Sequence, residues 1–161
     1  MAKLKIKKVG DDVLRAKSRP VDKITPRIKT LLDDMADTLH FAEGCGLAAP
    51  QVGVLRRIVI IETEETGLIE LINPKIIARS GEQNELEGCL SIPGEWGITR
   101  RPECVTVEAS DRDGNIKTYN GKGLLARAFC HEIDHLDGKL YTDPETLIRM
   151  ENLSDTEDSE N

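Results

Sequence analysis

Aromatic side chains are nearly absent from this sequence. Phe41, Trp96, Tyr119, Phe129 and Tyr141 make up 3% of 161 residues. The core must therefore be aliphatic, and a base-stacking platform for single-stranded nucleic acid is disfavoured. No stretch approaches the roughly 18 apolar residues that a membrane span requires. The lysine-rich start, MAKLKIKKVG, lacks the apolar run of a secretory leader. A cytoplasmic location is the resulting expectation. In that reducing setting the four cysteines, Cys45, Cys89, Cys104 and Cys130, suit metal ligation or catalysis better than a disulfide framework. Positive charge is missing from the end of the chain. Residues 151–161 hold Glu151, Asp155, Glu157, Asp158 and Glu160 with no Lys or Arg, while the rest sets 22 basic against 24 acidic residues. The net charge of −7 argues against an electrostatic grip on phosphate backbones.

What is present reads as one domain over residues 1–150 and an acidic, solvated tail over 151–161. Hydrophobic residues at 39% and charged residues at 32% are those of a globular chain. A short helix is predicted over 11–17. Thr25 followed by Pro26 is a capped helix start, Ile28, Leu31, Leu32, Met35 and Leu39 follow at helical spacing, and Gly44 offers a stop. Strands are predicted over 57–62, 68–73 and 104–110, with Asp113-Gly114 turning into another over 116–119. A second long helix should run over 124–136, ended by Gly138, and Asp143-Pro144 should open a final helix bearing Leu147, Ile148 and Met150. The predicted fold class is α+β: a compact domain with mixed or antiparallel strands around a central helix carrying the H-E-x-x-H motif.

That motif is His131-Glu132-Ile133-Asp134-His135. Residues four apart on a helix share a face, so both imidazoles can reach one metal ion. Glu132, rotated about 100° from His131, can sit beside a bound water and move its proton. His40 reads as an ordinary residue at the end of the first long helix. A catalytic site of this type takes a third protein ligand and keeps one position open. The metzincin pattern finds its glycine at Gly138 but has Tyr141 where its third histidine belongs. A downstream acid, Glu145 or Glu151, would have to come from the terminal helix or tail.

Upstream, Glu87-Gly88-Cys89-Leu90-Ser91-Ile92-Pro93 offers a thiolate ligand, although Cys89 by itself reads more readily as a small buried hydrophobe. Residues 44–53, GCGLAAPQVG, are small enough for an extended peptide to lie close to the backbone. Gln51 there could donate to a developing oxyanion. The phosphate-cradling glycine templates both fail. A structural metal site without catalysis would want four ligands and would leave Glu132 and Gln51 without a task.

Together GCGLAAPQ, EGCLS and HEIDH, in this order and spacing, resemble the three signature motifs of the peptide deformylase family. GDDVLR at 10–15, LINP at 71–74 and LLA at 124–126 agree, and the similarity reaches about residue 145. The resemblance implies Cys89, His131 and His135 as metal ligands and Glu132 as general acid and base. It implies an oxyanion hole made of Gln51 and the backbone N–H of Leu90. The implied cofactor is one divalent ion, Fe(II), for which zinc, nickel or cobalt can stand in. The implied reaction removes the formyl group from the N-formylmethionyl end of a new polypeptide and releases formate. Nascent chains are then the partners, with a transient ribosome contact and neither DNA nor a membrane. Leu124 and Ala128, which share the helix face of His131, are candidate walls of the methionine pocket. The backbone of Gly44, Cys45 and Gly46 is the candidate edge for pairing with the substrate. Cys45 stands where the family has an aliphatic residue and is expected to pack.

Overall fold

The computed structural model describes residues 3–152; of the acidic stretch, residues 153–161 lie outside the described residues. Two long helices form. α1, Pro26–Ala42, starts as its sequence dictates: Thr25 Oγ1 accepts from the Ile28 N–H at 3.3 Å and Pro26 occupies the first turn. It stops at Glu43, whose left-handed φ of 56° comes one residue before the expected glycine. α2, Leu124–Leu136, has the predicted bounds. The short helix predicted at 11–17 is a single 3-10 turn, Asp12–Arg15, capped by Asp11.

Eight strands are described: β1 Gly46–Ala48, β2 Ile58–Thr63, β3 Gly67–Ser80, β4 Gln83–Cys89, β5 Ile92–Arg101, β6 Cys104–Ser110, β7 Ile116–Lys122 and β8 Leu147–Glu151. They make one five-stranded sheet in the order β1-β2-β3-β6-β7 and one three-stranded sheet in the order β4-β5-β8. All ladders are antiparallel. The larger sheet is covered on both faces. Ile58 and Ile60 of β2 pack with Leu32, Met35 and Leu39 of α1, whereas Val59 and Ile61 pack with Phe129, Ile133 and Leu136 of α2. Successive strand residues face opposite ways, so a strand sandwiched by two helices needs an unbroken apolar run, which 58–61 supplies. α2, which carries the H-E-x-x-H motif, also touches β5 of the smaller sheet.

The final helix predicted from Asp143-Pro144 is not there. The Asp143 carboxylate caps a turn, accepting from the Leu140 N–H at 3.1 Å and from both Arg15 nitrogens at 2.9 Å. The chain then extends as β8 against β5, pairing Gly97 with Met150 and Ile98 with Arg149. Gly97 makes room: a Cβ there would lie 2.6 Å from Leu147 Cδ1. β4 and β5 lie outside the predicted strands, and β3 runs past Pro74 by a register shift at Asn73, which is left-handed at φ 53°.

Candidate metal centre

β4 and α2 bring the two halves of the site together. Cys89 ends β4, where the ladder to β5 shifts register between Glu87 and Cys89 and turns through Leu90 and Ser91. His131 and His135 lie one turn apart on the α2 face beneath it. The Cys89 thiol is 3.4 Å from His135 Nε2, and the ligand atoms of Cys89, His131 and His135 all lie within 4.8 Å of one another. His131 Nδ1 is held by Glu87 Oε1 at 2.5 Å, which leaves Nε2 as the nitrogen available to an ion. His135 Nδ1 and Glu132 Oε1 are buried with no hydrogen-bond partner. One thiolate and two imidazoles, with an orphaned carboxylate oxygen beside them, suit a borderline-soft divalent ion in an open site.

The local charges are strongly shaped. Burial would raise the Glu87 carboxyl, but the bonds to His131 and Arg101 outweigh it and hold it well below the carboxylate range. His131 is pushed up despite its burial, through the charge of Glu132 and contacts with Cys89 and Glu87. His135 is pushed down by burial and by His131. Burial, opposed by His131, lifts Glu132 to about 7.

Above the three ligand candidates opens a cavity of about 600 Å³. Its walls include Gly44, Cys45 and Gly46 on one side, Cys89 and Leu90 on another, and Leu124, Ala128, His131 and Glu132 from α2. Gly46 must be small, since a Cβ there would sit 2.6 Å from Glu132 Oε2. Gln51 Oε1 accepts from the Ala48 N–H at 2.9 Å. That contact fixes the amide. Its Nε2 then points to Ser91 Oγ at 3.1 Å and Cys89 Sγ at 3.7 Å. Ala128 is buried, while Leu124, on the first turn of α2, is 54% exposed at the mouth. Cys45 does not pack as expected. It is exposed, because it precedes β1 in the bend after α1 and opens onto the cavity.

The alternatives for a third ligand lie elsewhere. Tyr141 is buried against His131 with ring centroids 6.0 Å apart, and its hydroxyl donates to Glu95 O. Glu151 pairs with Arg149 on β8, and Glu145 pairs with Lys139. His40 is exposed and bonded to Glu62. Sequence reasoning missed Glu87 and Arg101 as functional neighbours. Glu87 accepts from Thr99 Oγ1 at 2.7 Å and from Arg101 at 2.6 Å, while Arg101 also reaches Asp134 at 2.7 Å. The signal was the period of two that puts Glu87 on the face of Cys89.

Comparison with known proteins identifies the family. The family model for polypeptide deformylase matches residues 3–151. A peptide deformylase of Acetivibrio thermocellus is 59% identical over 138 residues, covering 86% of this chain and 81% of its own. One from Caldanaerobacter subterraneus is 56% identical, covering 86% of each. The crystal structure of a peptide deformylase from Legionella pneumophila superposes with a TM-score of 0.85 at 42% identity, over 89% of this chain and 88% of that one. A three-ligand cluster at the foot of an open cavity and a sequence match over nearly the whole described chain lead to one assignment: this chain belongs to the peptide deformylase family.

Proposed function

We propose that Cys89, His131 and His135 hold the divalent ion of this enzyme, that Glu132 carries the proton, and that Gln51 with the Leu90 N–H receives the developing negative charge. The activity is that of the family: a metal-dependent hydrolase that removes the N-formyl group from nascent polypeptides. The observation that carries the residue roles is the meeting of one thiol and two imidazoles within 4.8 Å at the foot of the cavity, with the unpartnered Glu132 beside them.

When bound, the ion supplies a Lewis acid that brings the pKa of a coordinated water toward ~7. Fe(II) is the ion proposed, with zinc, nickel or cobalt as substitutes. Glu132 accepts the proton of the attacking water and returns it to the amine that leaves. Gln51 Nε2, its amide fixed by Ala48, donates to the formyl oxygen as charge builds there, and the N–H of Leu90 supplies a second donor. Ala128 and Leu124 wall the methionine side chain, and the backbone of Gly44, Cys45 and Gly46 pairs with the extended substrate. The proposed setting is the cytoplasm, where the new N-formylmethionyl chain is the partner and the ribosome is touched in passing. No helix of the described residues is long and apolar enough to cross a membrane.

The test is formate release from a formyl-Met dipeptide by enzyme prepared without oxygen, with an acetyl-Met dipeptide as control. Release from the formyl compound alone is the expected result. Equal release of acetate would overturn the assignment of the activity as removal of a formyl group. No turnover by the Fe(II)-loaded enzyme would overturn the reading of the site.

A further inference from the structure

We infer that a second cavity, behind α2, binds a small phosphorylated anion through Arg79 with Arg100, Lys75 and Lys139. The cavity holds about 450 Å³ and shares no lining residue with the catalytic one. It lies on the α2 face that bears Cys130, Ile133 and Asp134, the face turned away from Glu132. A volume of this size suits a mononucleotide or smaller ligand.

The charge of the walls is the reason for an anion. Six cations line the cavity, Arg57 and Arg101 besides the four just named, against Asp134, Asp137 and Glu145. Two of those acids are already engaged: Asp137 with Arg57 at 3.0 Å and Asp134 with Arg101 at 2.7 Å. The remaining cations are poorly compensated. Arg79 is exposed on β3, and its side chain makes no hydrogen bond or ion pair among the described residues. Arg100 lies 3.3 Å from Glu82, Lys75 lies 3.7 Å from Glu108, and Lys139 lies 3.8 Å from Glu145, all on exposed side chains. Such long, exposed pairs hold weakly, so these heads can turn to a better acceptor. A phosphate offers several oxygens to a guanidinium fork and to ammonium groups at once. A chain of net charge −7 carrying a local excess of cations favours a compact anion over a long polyanion, whose outer phosphates would meet the acidic surface. Ile76, Ile133 and Pro102 leave part of the wall apolar, which suits a ligand with an organic portion.

The test titrates zinc-loaded, nitrogen-15-labelled enzyme with inorganic phosphate, adenosine monophosphate and a short RNA oligonucleotide, following backbone amides by NMR. Saturable shifts of Arg79, Arg100 and Thr146 with adenosine monophosphate, and unmoved amides around Cys89, are expected. Inorganic phosphate should move the same amides more weakly. Arg79→Glu should weaken binding at least tenfold. Arg27→Glu, the same charge change at an exposed position on α1 across the sheet, should change it less than twofold. Equal losses in the two variants would reduce the effect to general electrostatics and overturn the site. Shifts confined to residues around Cys89, no saturable binding of either small anion, or RNA binding without adenosine monophosphate binding would each overturn it as well.

Discussion

Removing one atom group at a time separates holding an ion from using it. Cys89→Ala deletes one of the three proposed ligand atoms and should lower metal retention by orders of magnitude; metal content after dialysis against a chelator reads this directly. Glu132→Ala leaves the three ligand candidates in place and should keep the ion while lowering kcat by about 10²–10⁴. Retention equal to wild type in the first variant, or full turnover in the second, would contradict the assigned roles. Glu87 acts through another residue. It is buried, grips His131 Nδ1 and neutralises Arg101, whose side chain is 4% exposed. Glu87→Gln should weaken metal binding roughly 10–100-fold by loosening His131. It should also cost about 3–5 kcal/mol of stability, because Arg101 keeps its buried charge with less to balance it. A variant as stable as wild type with unchanged metal affinity would leave Glu87 without the positioning role.

Among the elements, those with a strong period or a cap were legible and those held by partners were not. α2 and β6 have the bounds read from sequence, since their apolar residues recur at helical and alternating spacing. β4 and β5 carry Glu85, Glu87, Arg100 and Arg101, residues that ordinarily mark loops; half of them are buried only because they satisfy one another. β8 was misread because Asp143-Pro144 has the chemistry of a helix start, while Arg15, far away in sequence, claims the carboxylate. Of the centre, the two histidines and Glu132 were legible from spacing alone, Cys89 became a ligand candidate only beside other motifs, and Arg101 gave no sign at all.

The turn after α2 depends on the same distant contact. Gly138 has a φ of +72°, and a Cβ there would lie 2.4 Å from the Arg15 carbonyl oxygen. Gly138→Ala therefore combines left-handed strain with a backbone clash and should cost at least about 2 kcal/mol, read as a fall in Tm of roughly 4–8 °C. The Arg15 guanidinium that holds this corner also keeps the Asp143 carboxyl below its ordinary range. A lowered folded-state pKa adds stability above the unfolded value of ~3.9, and that stability is lost as pH falls through the folded value. Asp143→Asn should accordingly lower Tm at pH 7 and match wild type progressively in acid below that value. A gap between the two that persists at the acid end would point to the lost turn geometry, not the ion pair.

At the scale of the whole molecule, the charge and the fold separate. The described elements end with β8 at Glu151, and the family match ends at the same residue. Residues beyond Asn152 contain Asp155, Glu157, Asp158 and Glu160 and no base, so a chain stopped after Asn152 would fall from a net charge of −7 to −3. The catalytic cavity draws its walls from Ile6 through Glu132, and none of them comes from the last strand. Shortening the chain to residues 1–152 should therefore leave kcat/KM for a formyl-Met peptide within about twofold of the full chain, with Tm unchanged within error. A tenfold loss in kcat/KM would show that the acidic stretch takes part in turnover, and would move part of the function outside the two sheets and two helices that build the centre.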